Sequence, residues 1–172
     1  DLLLSTKFMM RSIMDIARSQ GEDIHDINTQ LSCLQVFALG GNSDQDDELD
    51  TSYYATRAAL HTTMNQTSAY IAENGTKKII ESLASQTAAP IAKLINQVAA
   101  RFSVQVTEKF AAQAIPVIGA AAGASINILF ITHFQKIATA HFTLRRLERK
   151  YSKDLIQQTY QQLEVQNTAI DQ

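Results

Sequence analysis

Apolar residues recur every three or four positions along most of the chain, which is the spacing of an amphipathic α-helix. The first such segment covers residues 2–19 and is followed by Gly21, a residue type that commonly terminates helices. A second segment follows Asp26, a residue type favoured at helix N-caps, and stops at Gly40 and Gly41. The pattern therefore predicts a pair of helices at the start of the chain.

Residues 42–50 lack this periodicity and carry five carboxylates, so we expect an exposed acidic linker. Thr51 or Ser52 is a suitable N-cap for a third helix, and the pair Asn74-Gly75 is a typical stop signal. The pattern resumes after Gly75 and predicts a short helix over 76–85.

Two prolines mark the next helices. Pro90 suits the first turn of a helix that we expect to end near Phe102. Residues 102–106 alternate between apolar and polar, but one short strand would have no partner, so they predict a helix junction. Thr107 then caps a helix that Pro116 interrupts or restarts, because an interior proline removes a backbone hydrogen bond.

The longest helical pattern covers residues 117–151, about 50 Å at 1.5 Å per residue, so we expect a bend near Gly119 or Gly123. A final Gln-rich amphipathic helix follows over 153–168. No pattern supports a sheet. The predicted fold is all-α, a compact domain of about seven helices around a long central Gly/Ala-rich helix.

The composition fits a single globular domain over residues 1–172, with 45% hydrophobic and 19% charged residues. The sequence begins at Asp1 within an apolar helical pattern, so we expect it to be the C-terminal part of a longer chain. A net charge of -2 gives no electrostatic case for nucleic-acid binding. Cys33 is the single cysteine, which excludes an intrachain disulfide and favours a reducing compartment.

The segment between Lys109 and Lys136 contains no charged residue and includes Gly119 and Gly123, a spacing that lets two helix backbones approach closely. The segment is long enough to span a bilayer, so insertion into a membrane or association with its surface is one interpretation. Polar residues interrupt it, and polar groups in hydrocarbon are costly. We therefore favour a buried core helix, with Gly119 and Gly123 as helix-packing residues.

The C-terminal half of the same helix places His141, Arg145 and Glu148 on one face. One interpretation is a catalytic or ligand-binding trio in which Glu148 holds Arg145 while His141 orients nearby groups. The alternative, which we favour, is a structural ion pair at the edge of the core, because buried charges must be paired.

Other site chemistries find no support in the sequence. His133 and His141 lie off a common helical face and no zinc motif accompanies them, so no metal site is predicted. The acidic linker departs from the calcium-loop pattern at its glycine and final glutamate positions. No phosphate-binding loop occurs, and Cys33 lies among apolar residues, where a free cysteine is usually a small buried hydrophobe. We predict no cofactor.

Several blocks of the sequence are similar to the EcsC family: Val36-Phe-Ala-Leu-Gly-Gly41, Ser52-Tyr-Tyr-Ala-Thr-Arg57, the run from Glu108 through Gly119 to Gly123, Ile126-Asn127, His133-Phe134, and His141-Phe-Thr-Leu-Arg-Arg-Leu-Glu-Arg-Lys-Tyr151. They cover most of residues 1–151. Family members typically carry a further N-terminal helical region that this chain lacks, and a glycine commonly stands at the position of Ser152.

The resemblance implies a bacterial protein, cytoplasmic or peripheral to the inner membrane, linked to an ABC transporter system. It supplies no catalytic residue. The positions that match its signature form a candidate polar site: Glu108, Gln113, Asn127, His133, His141, Arg145 and Glu148.

Three functions follow, in order of preference. The first is a non-catalytic accessory or interaction protein whose partner is a membrane or a membrane protein. The second is a helical module that binds a lipid-like or other small hydrophobic ligand in a cavity lined by Phe130, Phe134 and Ile137. The third, which we favour least, is an enzyme that uses the face of His141, Arg145 and Glu148.

Overall fold

A computed structural model describes residues 2–39, 51–84, 89–112 and 120–170. Within these ranges every regular element is a helix, which confirms the predicted all-α class. None of these helices combines the length and apolarity needed to cross a membrane. The helices are α1 (Leu2–Ser19), α2 (Ile27–Leu39), α3 (Thr51–Ala84), α4 (Ala89–Ala112), α5 (Ala120–Tyr151) and α6 (Lys153–Ile170).

Gly21 ends α1 as predicted, with a φ of 81° that favours glycine. The amide of Gly21 donates to the carbonyl of Arg18 (3.0 Å), and the amide of Glu22 donates to that of Ala17 (3.1 Å). This pair of bonds is the Schellman motif, in which a left-handed residue reverses the chain. The turn fixes the position of Glu22, which becomes important for the site below.

Asp26 caps α2 as predicted, because its carboxylate accepts a hydrogen bond from the amide of Thr29 (3.0 Å). This short helix packs against α1, α3, α4 and α5, and most of its residues are buried. Helix α5 packs against α1, α2 and α6. The predicted arrangement around a central Gly/Ala-rich helix is therefore not confirmed, since α2 has the most neighbours among the described helices.

The predicted junction near residues 102–106 is wrong, because α4 continues without a break from Ala89 to Ala112. No glycine or proline lies between Ile91 and Ala112, so nothing in that stretch interrupts the helical backbone. The predicted stop at Gly75 is confirmed as a break with φ 67° and ψ 164° inside α3. Pro90 lies in the first turn of α4, also as predicted.

The count of about seven helices is not confirmed, since six are seen in the described ranges. The acidic linker at 42–50, Pro116 and Gly119 lie outside those ranges. Gly123 lies within α5, and its packing is outside what the structure describes. The bend and the close helix approach predicted at Gly119 and Gly123 stay predictions.

The apolar core joins α2, α4 and α5 through three aromatic rings. Phe37 lies edge-on to Phe102 with ring centroids 5.6 Å apart, and Phe134 lies 5.3 Å from Phe37. Phe134 is 1% exposed, and Ile137 packs against the same cluster. Such aromatic contacts stabilise a core beyond the area they bury. Phe134 and Ile137, two of the three side chains expected to line an apolar cavity, therefore belong to the core, and Phe130 is not among the described side chains.

Ser152 connects α5 to α6 in a conformation that L-residues seldom adopt, with φ 94°. Its amide bonds to the carbonyl of Glu148 (3.1 Å), and its hydroxyl accepts from the amide of Leu155 (3.4 Å) at the start of α6. Beyond this turn, the ring of Tyr160 contacts Tyr53 and Tyr54 on α3, with centroids 5.8 and 5.4 Å apart. The turn thus places α6 beside α3.

Replacing Ser152 with glycine should raise the free energy of unfolding by about 0.5–1 kcal/mol, because glycine removes the strain of a positive φ and loses little as an N-cap. The measurement is urea denaturation followed by circular dichroism. Ser152→Ala is the matched control and should destabilise by about 1 kcal/mol, because it keeps the strain and loses the cap. Equal effects of the two substitutions would contradict this explanation.

Candidate functional site

A buried ion pair joins α3 to the C-terminal part of α5. The Nη1 and Nη2 atoms of Arg57 donate to the two carboxylate oxygens of Glu148, at 2.6 and 2.9 Å. The side chains are 15% and 10% exposed. Burial lowers the pKa of Arg57, but the hydrogen bond to Glu148 and the electrostatic interactions with Tyr53, Glu148 and Tyr54 together outweigh it and raise that pKa. Arg57 is therefore a permanent, fixed positive charge.

Two tyrosines extend this pair toward His141. Arg57 donates to the hydroxyl oxygen of Tyr53 (3.3 Å), which lies 2.9 Å from Nδ1 of His141, and Tyr54 donates to Glu148 (3.3 Å). Because arginine can only donate, the hydrogen of the Tyr53 hydroxyl is free to point at Nδ1. This arrangement assigns the ring proton of His141 to Nε2.

His141 is fully buried, and its Nε2 has no hydrogen-bond partner among the described residues. Burial, followed by the positive charges of Arg57 and Arg145, lowers the pKa of His141 well below its ordinary value of 6.5. The ring is therefore neutral at physiological pH. An unpaired buried donor is destabilising by about 1–3 kcal/mol, so the surrounding packing must hold His141 in place.

A second set of ion pairs joins α5 to the turn after α1. Arg145 donates to both carboxylate oxygens of Glu22, at 2.9 and 3.2 Å, and Arg149 donates to the same carboxylate. Thr29 also donates to it from α2 (3.2 Å). Burial would raise the pKa of Glu22, but these arginines together lower it below the ordinary 4.5. Glu22 is therefore ionised at neutral pH.

A partly open cleft of about 490 Å³ lies beside both networks. Helices α2, α3, α5 and α6 contribute its walls. The lining side chains are mostly polar, and a cleft of this size is large enough for a small molecule. They are Asn28, Ser32, Gln35, Tyr54, Arg57, Ala58, His61, Met64, Asn65, Arg145, Lys153 and Gln157.

Two residues that line the cleft have largely buried side chains that form no hydrogen bond with the residues described here. Ser32 is 1% exposed and Gln35 is 4% exposed, and neither side chain has a hydrogen-bond partner in the described ranges. The fully enclosed side-chain atoms that lack a partner in the described ranges belong to Gln20, Gln97 and His141. The polar atoms of Ser32 and Gln35 are not among them, so they open onto the cleft that these residues line. Their free hydrogen-bonding capacity can be met from the cleft, by water or by a polar ligand.

Helix α2 also carries the cysteine of the chain, which is not activated as a nucleophile. Cys33, one residue from Ser32, is buried, and burial raises its pKa to about 12, which leaves the thiol protonated. The described residues contain no group of three or more His, Cys, Asp or Glu side chains arranged to hold a metal ion.

The family model described as the EcsC protein family matches residues 1–147. The chain belongs to the EcsC family. This confirms the resemblance seen in the sequence blocks. No curated protein and no solved structure matches the chain significantly.

Three of the candidate polar residues suggested by the EcsC resemblance lie at or beside the cleft. Arg145 lines it, while His141 and Glu148 support Arg57 from behind. His133 lies apart from them, half-buried, with its ring centroid 5.2 Å from that of Phe134. The remaining three, Glu108, Gln113 and Asn127, are not among the described side chains, so their part in the site stays a prediction.

The expected pairing of Arg145 with Glu148 is wrong. Glu148 bonds to Arg57, and Arg145 bonds to Glu22. Spacing along one helix permitted the predicted pair, but each residue finds a better partner across a helix interface. Arg57 offers Glu148 a bidentate contact, and the turn at Gly21 brings Glu22 to Arg145.

Sequence reasoning missed several residues of the site, including Glu22, Tyr53, Tyr54 and Arg57 in the ion-pair networks and Ser32, Gln35 and Lys153 in the lining of the cleft. The signal for three of them was present, because the block Ser52-Tyr-Tyr-Ala-Thr-Arg57 is one of those that resemble the EcsC family. Glu22 lies in none of the sequence blocks that resemble the EcsC family.

Replacing Glu148 with glutamine should lower the free energy of unfolding by about 2–4 kcal/mol, because it leaves the charge of Arg57 buried without its partner. The matched control is Asp15→Asn, which breaks an exposed pair with Arg18 and should change stability by less than about 0.5 kcal/mol. Urea denaturation of both variants provides the measurement. A loss in Glu148→Gln no larger than that in the control would contradict a structural role for the buried pair.

Glu22 should make the stability of the protein sensitive to acid. A carboxylate with a lowered folded pKa stabilises the fold above its unfolded pKa, here 4.5, and that contribution disappears as the pH falls through the folded value. Glu22→Gln should therefore destabilise the protein by about 1–3 kcal/mol at pH 7 and lessen the further loss on acidification. Thermal unfolding between pH 7 and pH 3 measures both effects, and parallel pH profiles for variant and parent would refute the assignment.

Proposed function

We propose that this protein is a non-catalytic accessory protein of the EcsC family that binds a small polar ligand in the cleft between α2, α3, α5 and α6. One observation carries the proposal. Ser32 and Gln35 are more than nine-tenths buried, line the cleft, and have no hydrogen-bond partner among the described residues. Polar atoms that open onto a cleft without a protein partner can be hydrogen-bonded by a ligand that enters it.

His141 and Glu148, two residues of the catalytic trio considered from the sequence, fit a supporting role better than a catalytic one. A general base must reach its substrate and be able to change its protonation state. His141 is fully buried and is held neutral, and both carboxylate oxygens of Glu148 are bonded to Arg57. These two side chains orient the wall of the cleft and are not available to a bound molecule.

We place this activity in a membrane-linked setting on the strength of the family resemblance. In this proposal the protein acts at the cytoplasmic face of the bacterial inner membrane, as a partner of an ABC transporter system. Family membership supports that setting. The lipid-like ligand considered from the sequence is replaced here by a polar one, because most residues that line the cleft have polar side chains and Phe134 is packed in the core.

Replacing Ala58 with tryptophan should fill the cleft and abolish ligand binding, because Ala58 lines the cleft on an exposed part of α3. Protein incubated with a bacterial metabolite extract and desalted should retain a small molecule in native mass spectrometry, and Ala58→Trp should retain none. The matched control is Ala59→Trp, which alters an exposed neighbour that does not line the cleft.

The control should fold and bind as the parent does. Circular dichroism establishes that both tryptophan variants are folded. The proposal is wrong if the parent retains no small molecule, or if Ala58→Trp retains as much as Ala59→Trp.

A further inference from the structure

We infer that the ligand of this cleft is a small oxyanion, a molecule that presents phosphate or carboxylate oxygens to Arg57, Arg145 and Lys153. The inference rests on the proposed ligand-binding function and adds the chemical class of the ligand. Its first support is the charge of the wall. Three side chains that line the cleft are cationic, and none of the lining residues is an aspartate or a glutamate.

The carboxylates nearby do not neutralise this wall completely. Arg57 is matched by Glu148, but Arg145 shares the single carboxylate of Glu22 with Arg149. The side-chain ammonium group of Lys153 has no ion-pair or hydrogen-bond partner among the described residues. Positive charge thus remains on the α5 and α6 sides of the cleft, where the low dielectric of a cleft strengthens the attraction of an anion.

Hydrogen-bond donors that could bind an oxyanion also remain without a partner in the described ranges. The pair with Glu22 uses Nε and Nη2 of Arg145, so Nη1 has no partner within the described ranges. Arginine donors held in a fixed orientation are well suited to phosphate and carboxylate oxygens. The buried amide of Gln35 and the hydroxyl of Ser32 add neutral donors on the α2 side.

The same chemistry occurs in two sources, a free metabolite and the headgroup of an anionic phospholipid. A cleft of about 490 Å³ can hold either group. The experiment therefore uses one probe of each kind, inorganic pyrophosphate in solution and vesicles of phosphatidylglycerol.

Isothermal titration calorimetry with pyrophosphate at low ionic strength should show saturable binding that weakens as salt is added. Two variants remove the proposed attraction without touching the buried pairs. Lys153→Glu reverses a cleft charge, and Asn65→Asp introduces a carboxylate into the lining. Each should weaken binding about tenfold or more.

Lys150→Glu is the matched control, since it makes the same charge change on an exposed residue that does not line the cleft. It should alter the affinity less than about twofold, because exposed charges at a distance are screened. Circular dichroism of all three variants confirms that any loss reflects the site and not the fold.

Vesicle co-sedimentation distinguishes the sources. Vesicle binding that Lys153→Glu abolishes, without pyrophosphate binding, supports the inference and identifies a lipid headgroup as the source of the oxyanion. The inference is overturned if neither probe binds, or if Lys153→Glu and Lys150→Glu behave alike. If neither probe binds while Ala58→Trp still removes a retained small molecule, the cleft binds a ligand of another class, and the proposed function stands without this inference.

Discussion

The orientation of the cleft depends on the bidentate ion pair between Arg57 and Glu148. The guanidinium lines the cleft, but the carboxylate that fixes it lies behind the wall. Arg145 repeats this arrangement, since Glu22 fixes it from the turn after α1. In both cases a largely buried carboxylate orients a cation without itself lining the cleft. The wall of the cleft can therefore be rigid and positively charged at the same time. An exposed arginine with free rotamers would supply the charge without the rigidity.

Helix α2 supports this wall of the cleft because both a polar side and an apolar side of the helix are buried. Thr29, Ser32 and Gln35 recur every three residues and form a buried polar stripe beside Glu22 and the cleft. The apolar side carries Phe37 into the aromatic core. A helix with one broad solvent-exposed face would show strong amphipathicity, but α2 contacts four other helices. Its polar residues are thus part of the interior, where their bonding must be completed from nearby groups.

Local signals in the sequence predicted local structure well. Gly21, Asp26 and Gly75 were identified as helix boundaries because each acts on its own backbone within a few residues. The continuity of α4 was missed, because alternating residues near 102–106 imitate a strand that has no partner. The ion pairs could not be predicted from spacing, since Glu148 bonds to a residue 91 positions away and Glu22 to one 123 positions away. Such pairs depend on how the helices pack, which short-range patterns do not determine.

His141 shows why the site needs its supporting residues. An apolar side chain of similar size would fill the same space without an unpaired Nε2. The imidazole, however, accepts from Tyr53, and Tyr53 in turn accepts from Arg57. Without an acceptor at Nδ1, the Tyr53 hydroxyl would be a buried donor in need of a new partner, and Arg57 would lose a fixed neighbour. The unpaired Nε2 lowers the stability of the fold, but the same imidazole helps to fix the position of Arg57, the cation that faces the cleft.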